Sequence, residues 1–161
     1  MLGSLVGCGV IGPIANPSAS GAPYASCGYV APPPGARQCF TLQRQTATGE
    51  DLPMNDGTIA TGEQIRAMPT GAAGCAREHT FATVAGDADA PGAMSMFVFG
   101  VGFGLVHRDF AWRAPVAGRS FAVPHIGGPI LNPQGATVRA TDGSFRVSEI
   151  CFKAFHRTRG A

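Results

Sequence analysis

Glycine and proline punctuate this chain about every four to five positions, with 23 glycines and 13 prolines among 161 residues. A glycine weakens a helix interior by roughly 1 kcal/mol relative to alanine and a proline by about 3 kcal/mol. Few stretches are therefore long enough for a stable helix. From residue 38 onward, the segments between these breakers are short and alternate apolar with polar side chains, the pattern of strands separated by turns. The expected fold is all-β: an antiparallel sandwich or barrel, jelly-roll-like, with an extended N-terminal arm and at most one short helix.

Strands are expected at residues 39–46, 79–84, 93–106, 110–113, 120–123, 136–141 and 144–155. Asn55-Asp56-Gly57 and Asp142-Gly143 are turn sequences, because Gly and Asp tolerate positive φ. Thr61 with Gln64 three residues on matches a capping box, which predicts a helix at residues 62–68 that stops before Pro69. Asp142-Gly143 predicts a two-residue hairpin that sets Val138 opposite Val147, Arg139 opposite Arg146 and Ala140 opposite Phe145. Its apolar face would join the core. Its other face would put two guanidiniums side by side, either splayed into solvent or met by a carboxylate of this chain or of a partner.

Residues 93–106 are the densest apolar run, too short to span a bilayer as a helix. At period two, Phe97, Phe99, Val101, Phe103 and Leu105 would form the core face of a central strand. Val98, Gly100, Gly102, Gly104 and Val106 would form a bare face open to another backbone or subunit. The glycines do not complete a dinucleotide fingerprint, since the third is misplaced and no helix is expected after them.

Residues 1–35 read as an arm ahead of a single β domain at 36–161, and residues 1–36 carry no charged side chain. Proline discourages helix in its predecessor, so the arm should be extended, with Pro32-Pro33-Pro34 a polyproline spacer. Its Leu2, Leu5, Val10, Ile11, Ile14, Tyr24 and Tyr29 are too apolar to remain in water and too irregularly spaced to bury one another. Such a segment gains by lying along a surface of its own domain or of a neighbouring subunit. Leu5-Val6-Gly7-Cys8 resembles the lipobox of bacterial lipoproteins, though the basic n-region and apolar h-region of a secretory signal do not precede it.

A net charge of +2 excludes nucleic-acid binding by bulk electrostatics. The excess is concentrated late: residues 107–161 carry eight Lys or Arg against three acids, so Arg139, Arg146, Arg157 and Arg159 would suit an acidic partner. Five cysteines without a C-x-x-C pair give no zinc or thioredoxin-like motif. They read as buried free thiols of a reducing compartment, with a disulfide among Cys8, Cys27 and Cys39, and hence an oxidising compartment, as the alternative. The four histidines lack metal-ligand spacing and read as turn or surface residues. Glu78-His79 and His107-Arg108-Asp109 contain acid–base residue types, but adjacent strand residues face opposite sides. No catalytic, metal or cofactor site is expected, and no membrane or nucleic-acid partner.

With its uncharged arm, its charge-poor β body (14% of the whole chain is charged) and its glycine-faced strand, the chain resembles the cement or decoration proteins of tailed-phage heads. That likeness covers architecture and composition along the whole chain. It implies a non-enzymatic virion protein whose partners are copies of itself or a shell-forming major capsid protein, clamped through the arm and the late arginines. The alternative is a secreted or lipid-anchored β-sandwich that binds a ligand or carbohydrate.

Overall fold

The computed structural model describes residues 25–75, 78–101, 104–124 and 130–153, and every regular element among them is a strand. In chain order these are β1 (Ala25–Tyr29), β2 (Phe40–Thr46), β3 (Thr58–Ala60), β4 (Glu63–Pro69), β5 (Glu78–His79), β6 (Phe81–Ala88), β7 (Gly92–Val101), β8 (Gly104–Trp112), β9 (Val116–Pro124), β10 (Ile130–Asp142) and β11 (Ser144–Lys153). One sheet runs β1-β11-β6-β9 with β3 also on β11. The other runs β2-β4-β10-β7-β8 with β5 also on β10. Strands β10 and β11 organise the two sheets in the same way. Each has one continuous neighbour, β7 or β6, and on its other side two short strands set end to end.

The sheets form a sandwich because their inward side chains are the apolar half of the alternation. Ile65, Met94, Met96, Val98 and Val138 from the six-stranded sheet meet Val84, Phe145, Val147, Ile150 and Phe152 from the five-stranded one, all essentially without exposure. Each such side chain contributes about 2 kcal/mol by leaving water. Trp112 closes one end of the core against Phe121 and Phe145, ring centroids 5.8 and 5.3 Å away, and its indole N–H donates to the Ala90 carbonyl at 2.8 Å.

Three local expectations are corrected. Residues 62–68 are not a helix but most of β4, in which Ile65 and Ala67 point inward while Arg66 and Met68 point out. The capping pair is used otherwise: Thr61 Oγ1 donates to the Gly143 carbonyl, and Gln64 bonds to Arg139. The run at 93–106 is not one strand but the hairpin β7–β8, whose last pair is Gly100↔Gly104. Its faces are also inverted, since Met94, Met96 and Val98 are buried while Phe99 and Leu105 are exposed.

The third correction concerns Asp142-Gly143, where β10 and β11 do not pair but lie in different sheets. The turn is a corner that crosses the sandwich, with Gly143 at φ 74° and packed so close to Pro91 that a Cβ would lie 2.9 Å from its carbonyl oxygen. Val138 and Val147 therefore both reach the core from opposite sheets. Arg139 and Arg146 never stand side by side.

The arm boundary falls inside the fold. Ala25–Tyr29 pairs with β11 from Ala25↔Lys153 to Tyr29↔Glu149, and Val30 N–H donates to the Ser148 carbonyl. The part of the arm with Leu2, Leu5, Val10, Ile11, Ile14 and Tyr24 lies outside the described residues, as do Arg157 and Arg159. The free-thiol reading is also corrected. Cys27 is bonded to Cys151, its direct cross-strand partner, and Cys39 to Cys75.

Candidate functional site

Register aligns the outward side chains of the six-stranded sheet into rows that cross it. One row comprises Gln45, Gln64, Arg139, Ser95 and Asp109, contributed by β2, β4, β10, β7 and β8 in turn. The next comprises Gln43, Arg66, Thr137, Phe97 and His107. Beyond it lie Met68 on β4 and the pair Phe99↔Leu105, with Gly135 of β10 opposite Phe99. The face is thus polar at one end and apolar at the other. Between them runs a shallow groove of about 300 Å³, lined by Gln64, Arg66, Phe97, Phe99, Thr137 and Arg139.

The polar end is a connected network. Arg139 Nε and Nη2 donate to Gln64 Oε1 at 3.1 and 2.9 Å, and its guanidinium carbon sits 5.5 Å from the centre of the Phe97 ring. Phe97 in turn stacks on the His107 imidazole, centroids 4.7 Å apart and planes 15° from parallel. His107 Nε2 lies 2.9 Å from Asp109 Oδ1, which also accepts the Ser95 hydroxyl at 2.5 Å. The Ser95 hydroxyl, and then His107, hold the Asp109 carboxyl below its ordinary range. The carboxylate stands between serine and histidine, so the serine proton points at Asp109 and not at an imidazole able to take it. This order orients His107 but does not activate Ser95 as a nucleophile.

Among the described residues the ion pairs are Arg44–Glu63, His107–Asp109 and Arg146–Asp87; Arg66 and Arg139 take part in none. At the apolar end Met68, Phe99 and Leu105 are 39%, 39% and 53% exposed. Of the sequence-predicted contacts, then, Arg139 belongs to this face. Arg146 is on the outward side of the other sheet, bonded to its register partner Asp87, and Tyr29 sits half-buried on β1 beside Glu149. The structure does not bring Tyr29, Arg139 and Arg146 together.

Sequence reasoning missed most of the face. Alternation puts Phe99 and Leu105 in the core, and sequence adjacency presents His107 and Asp109 only as neighbours of Arg108. The signal was available: residues two apart on a strand share a side. His79 also differs from its expected surface position. It has no exposure, it packs edge-on to Phe152 at 5.6 Å, and neither ring nitrogen has a hydrogen-bond partner among the described residues. Burial pushes its pKa down to about 4. Cys27, Glu149 and Cys151 bring three potential donor atoms together, but both sulfurs are committed to their disulfide.

An antiparallel β-sandwich closed by two disulfides, with one outward face that mixes guanidiniums and exposed apolar side chains, is the class that fold and site define. No protein-family model matches the sequence, and no curated protein matches it.

Proposed function

We propose that this protein is a non-enzymatic binding module of an oxidising compartment, secreted or held at a cell surface, that meets its ligand with the outward face of the six-stranded sheet. The observation that carries this reading is the pairing, on one face, of exposed Phe99 and Leu105 with two arginines that have no carboxylate among the described residues. Exposed apolar patches bordered by polar groups mark interaction sites, and arginine and aromatic residues are the side chains that anchor them. Two disulfides support the compartment, because a reducing cytosol does not maintain them.

A subunit that clamps a viral shell is the second reading. The same apolar row favours it, since Met68, Phe99 and Leu105 would serve equally as a strip against a protein surface. Two measurements test the proposal. Alkylation of the unreduced, denatured protein followed by peptide mass spectrometry should leave Cys27, Cys39, Cys75 and Cys151 unlabelled; labelling of all four removes the compartment argument. A printed array of glycans and proteins should retain the wild-type protein and lose it on the double substitution Phe99→Ser, Leu105→Ser. Retention that survives this substitution moves the site elsewhere, and retention only by capsid proteins favours the shell reading.

A further inference from the structure

We infer that the groove across β4, β10 and β7 binds a uronate-bearing glycan, with the sugar carboxylate on Arg139 and Arg66 and an apolar ring face on Phe99. This rests on the binding-module reading and names its ligand class.

The first argument is the chemistry of the lining. Four of its six side chains, Gln64, Arg66, Thr137 and Arg139, carry polar atoms, and two are aromatic. A wholly apolar groove would fit a lipid or an apolar helix. Polar groups that alternate with rings fit a sugar, which has hydroxyls around its rim and C–H groups on its faces. The second argument is orientation. Arg139 spends its Nε–Nη2 edge on Gln64 Oε1 and is steadied by the Phe97 ring, which leaves the Nη1 end of the fork to receive a planar carboxylate. Phe97 lies between Arg139 and His107 in this stack, so it positions the guanidinium, and the exposed Phe99 is the ring available to a ligand.

The third argument is charge. Arg66 lies one row from Arg139 on the neighbouring strand β4, and neither has an acidic partner among the described residues, whereas Asp109 is already shared by Ser95 and His107. A second copy of this chain docked face to face would bring four guanidiniums together with no carboxylate left to meet them. A neutral glycan would leave both arginines without a counter-charge. An acidic one supplies it.

The test uses the full-length, disulfide-intact protein, labelled with ¹⁵N and titrated with oligogalacturonate and with alginate oligomers. The same oligogalacturonate after methyl esterification, neutral laminarin oligomers and dextran sulfate serve as comparisons. The expected result is saturable binding of at least one uronate series, with shifts centred on Phe99, Thr137 and the Arg139 side chain. Methyl esterification should weaken it at least tenfold, as should Arg139→Gln and, separately, Arg66→Gln. Arg146→Gln on the opposite sheet should leave it unchanged. Equal binding of the esterified or neutral oligomers overturns the charge argument but leaves the binding module standing. Binding that tracks dextran sulfate and survives Arg139→Gln is generic polyanion attraction and overturns the site. If no uronate binds, the ligand class is wrong, and retention on protein spots alone that still depends on Phe99 and Leu105 then assigns the face to a protein partner.

Discussion

Arg139 and Arg146 stand at matching positions on either side of the Asp142-Gly143 corner, and each faces outward from its own sheet, yet they are satisfied in opposite ways. Arg146 meets Asp87 directly across from it, in its own register, and the same carboxylate accepts the Gly118 N–H at 2.7 Å. Further along that sheet, the outward positions of Cys27, Cys151 and Thr83 are buried, and the first two are covalently joined. Arg139 instead meets an amide and a ring, and two rows away the same face ends in exposed Phe99 and Leu105. Ordinary cross-strand pairing can close a sheet face upon itself or leave it with unspent recognition chemistry. The difference here lies in a few side chains, with the same backbone plan beneath.

The largest effect should come from the closed side. Cys27–Cys151 spans 124 residues and Cys39–Cys75 spans 36. By loop-closure entropy the double substitution Cys27→Ala, Cys151→Ala should cost about 5 kcal/mol, and Cys39→Ala, Cys75→Ala about 4 kcal/mol, measured by urea unfolding. If the first pair proves the cheaper, the five-stranded sheet is not fastened chiefly by constraint of the unfolded chain.

Acid should act next, through a group on neither outer face. His79 titrates near 4 when folded against an ordinary 6.5, so between those values the unfolded chain takes up a proton that the folded one refuses. Stability is full above about pH 6.5 and falls as pH drops toward 4, by roughly 3 kcal/mol in all. Unfolding midpoints at pH 7.5 and 4.5 should differ accordingly in the wild type and much less in His79→Phe, which keeps a ring against Phe152. Asp109, depressed below 3.8, adds loss in the same direction at still lower pH. An unchanged pH profile in His79→Phe assigns the acid sensitivity elsewhere.

The inversion of β7 gives a sharper contrast between inside and outside. Met96→Ala should cost about 3 kcal/mol by opening a cavity in the core. Phe99→Ser, three residues on, should change stability by no more than about 0.5 kcal/mol, because the ring is exposed. Equal costs would return Phe99 to the core and dissolve the proposed face.

This inversion also shows how far the sequence could be read. Turn residues and alternation sufficed for the all-β class, because they report backbone preference directly. Which half of an alternation faces inward was legible in β10, where Ala136, Val138 and Ala140 alternate with Thr137 and Arg139, whereas the capping pair made β4 read as a helix. It was not legible in β7, where both halves are apolar: Met94, Met96 and Val98 against Phe97 and Phe99. Ring size favoured the wrong half, and the hairpin at Gly100↔Gly104 placed the phenylalanines outside. The disulfides and the Asp142-Gly143 corner were hidden for a related reason. Both depend on which strands become neighbours, and here a two-residue turn of the usual hairpin type joins two sheets instead of two strands of one.

The smallest predicted effect tests the opening comparison most directly. Arg146→Met removes an ion pair whose partners are 49% and 29% exposed, which is worth about 0.5 kcal/mol and should vanish in molar salt. Arg139→Met removes no ion pair, but it strips the Phe97 ring of its cation and leaves Gln64 Oε1 without its donor on a residue only 7% exposed. An unmet buried acceptor costs about 1–3 kcal/mol, and salt does not restore it. Arg139→Met should therefore destabilise more than Arg146→Met, and the gap between them should widen as sodium chloride is raised. If salt closes the gap instead, Arg139 is held by charge after all, a carboxylate is already in reach, and the face has no acidic ligand to find.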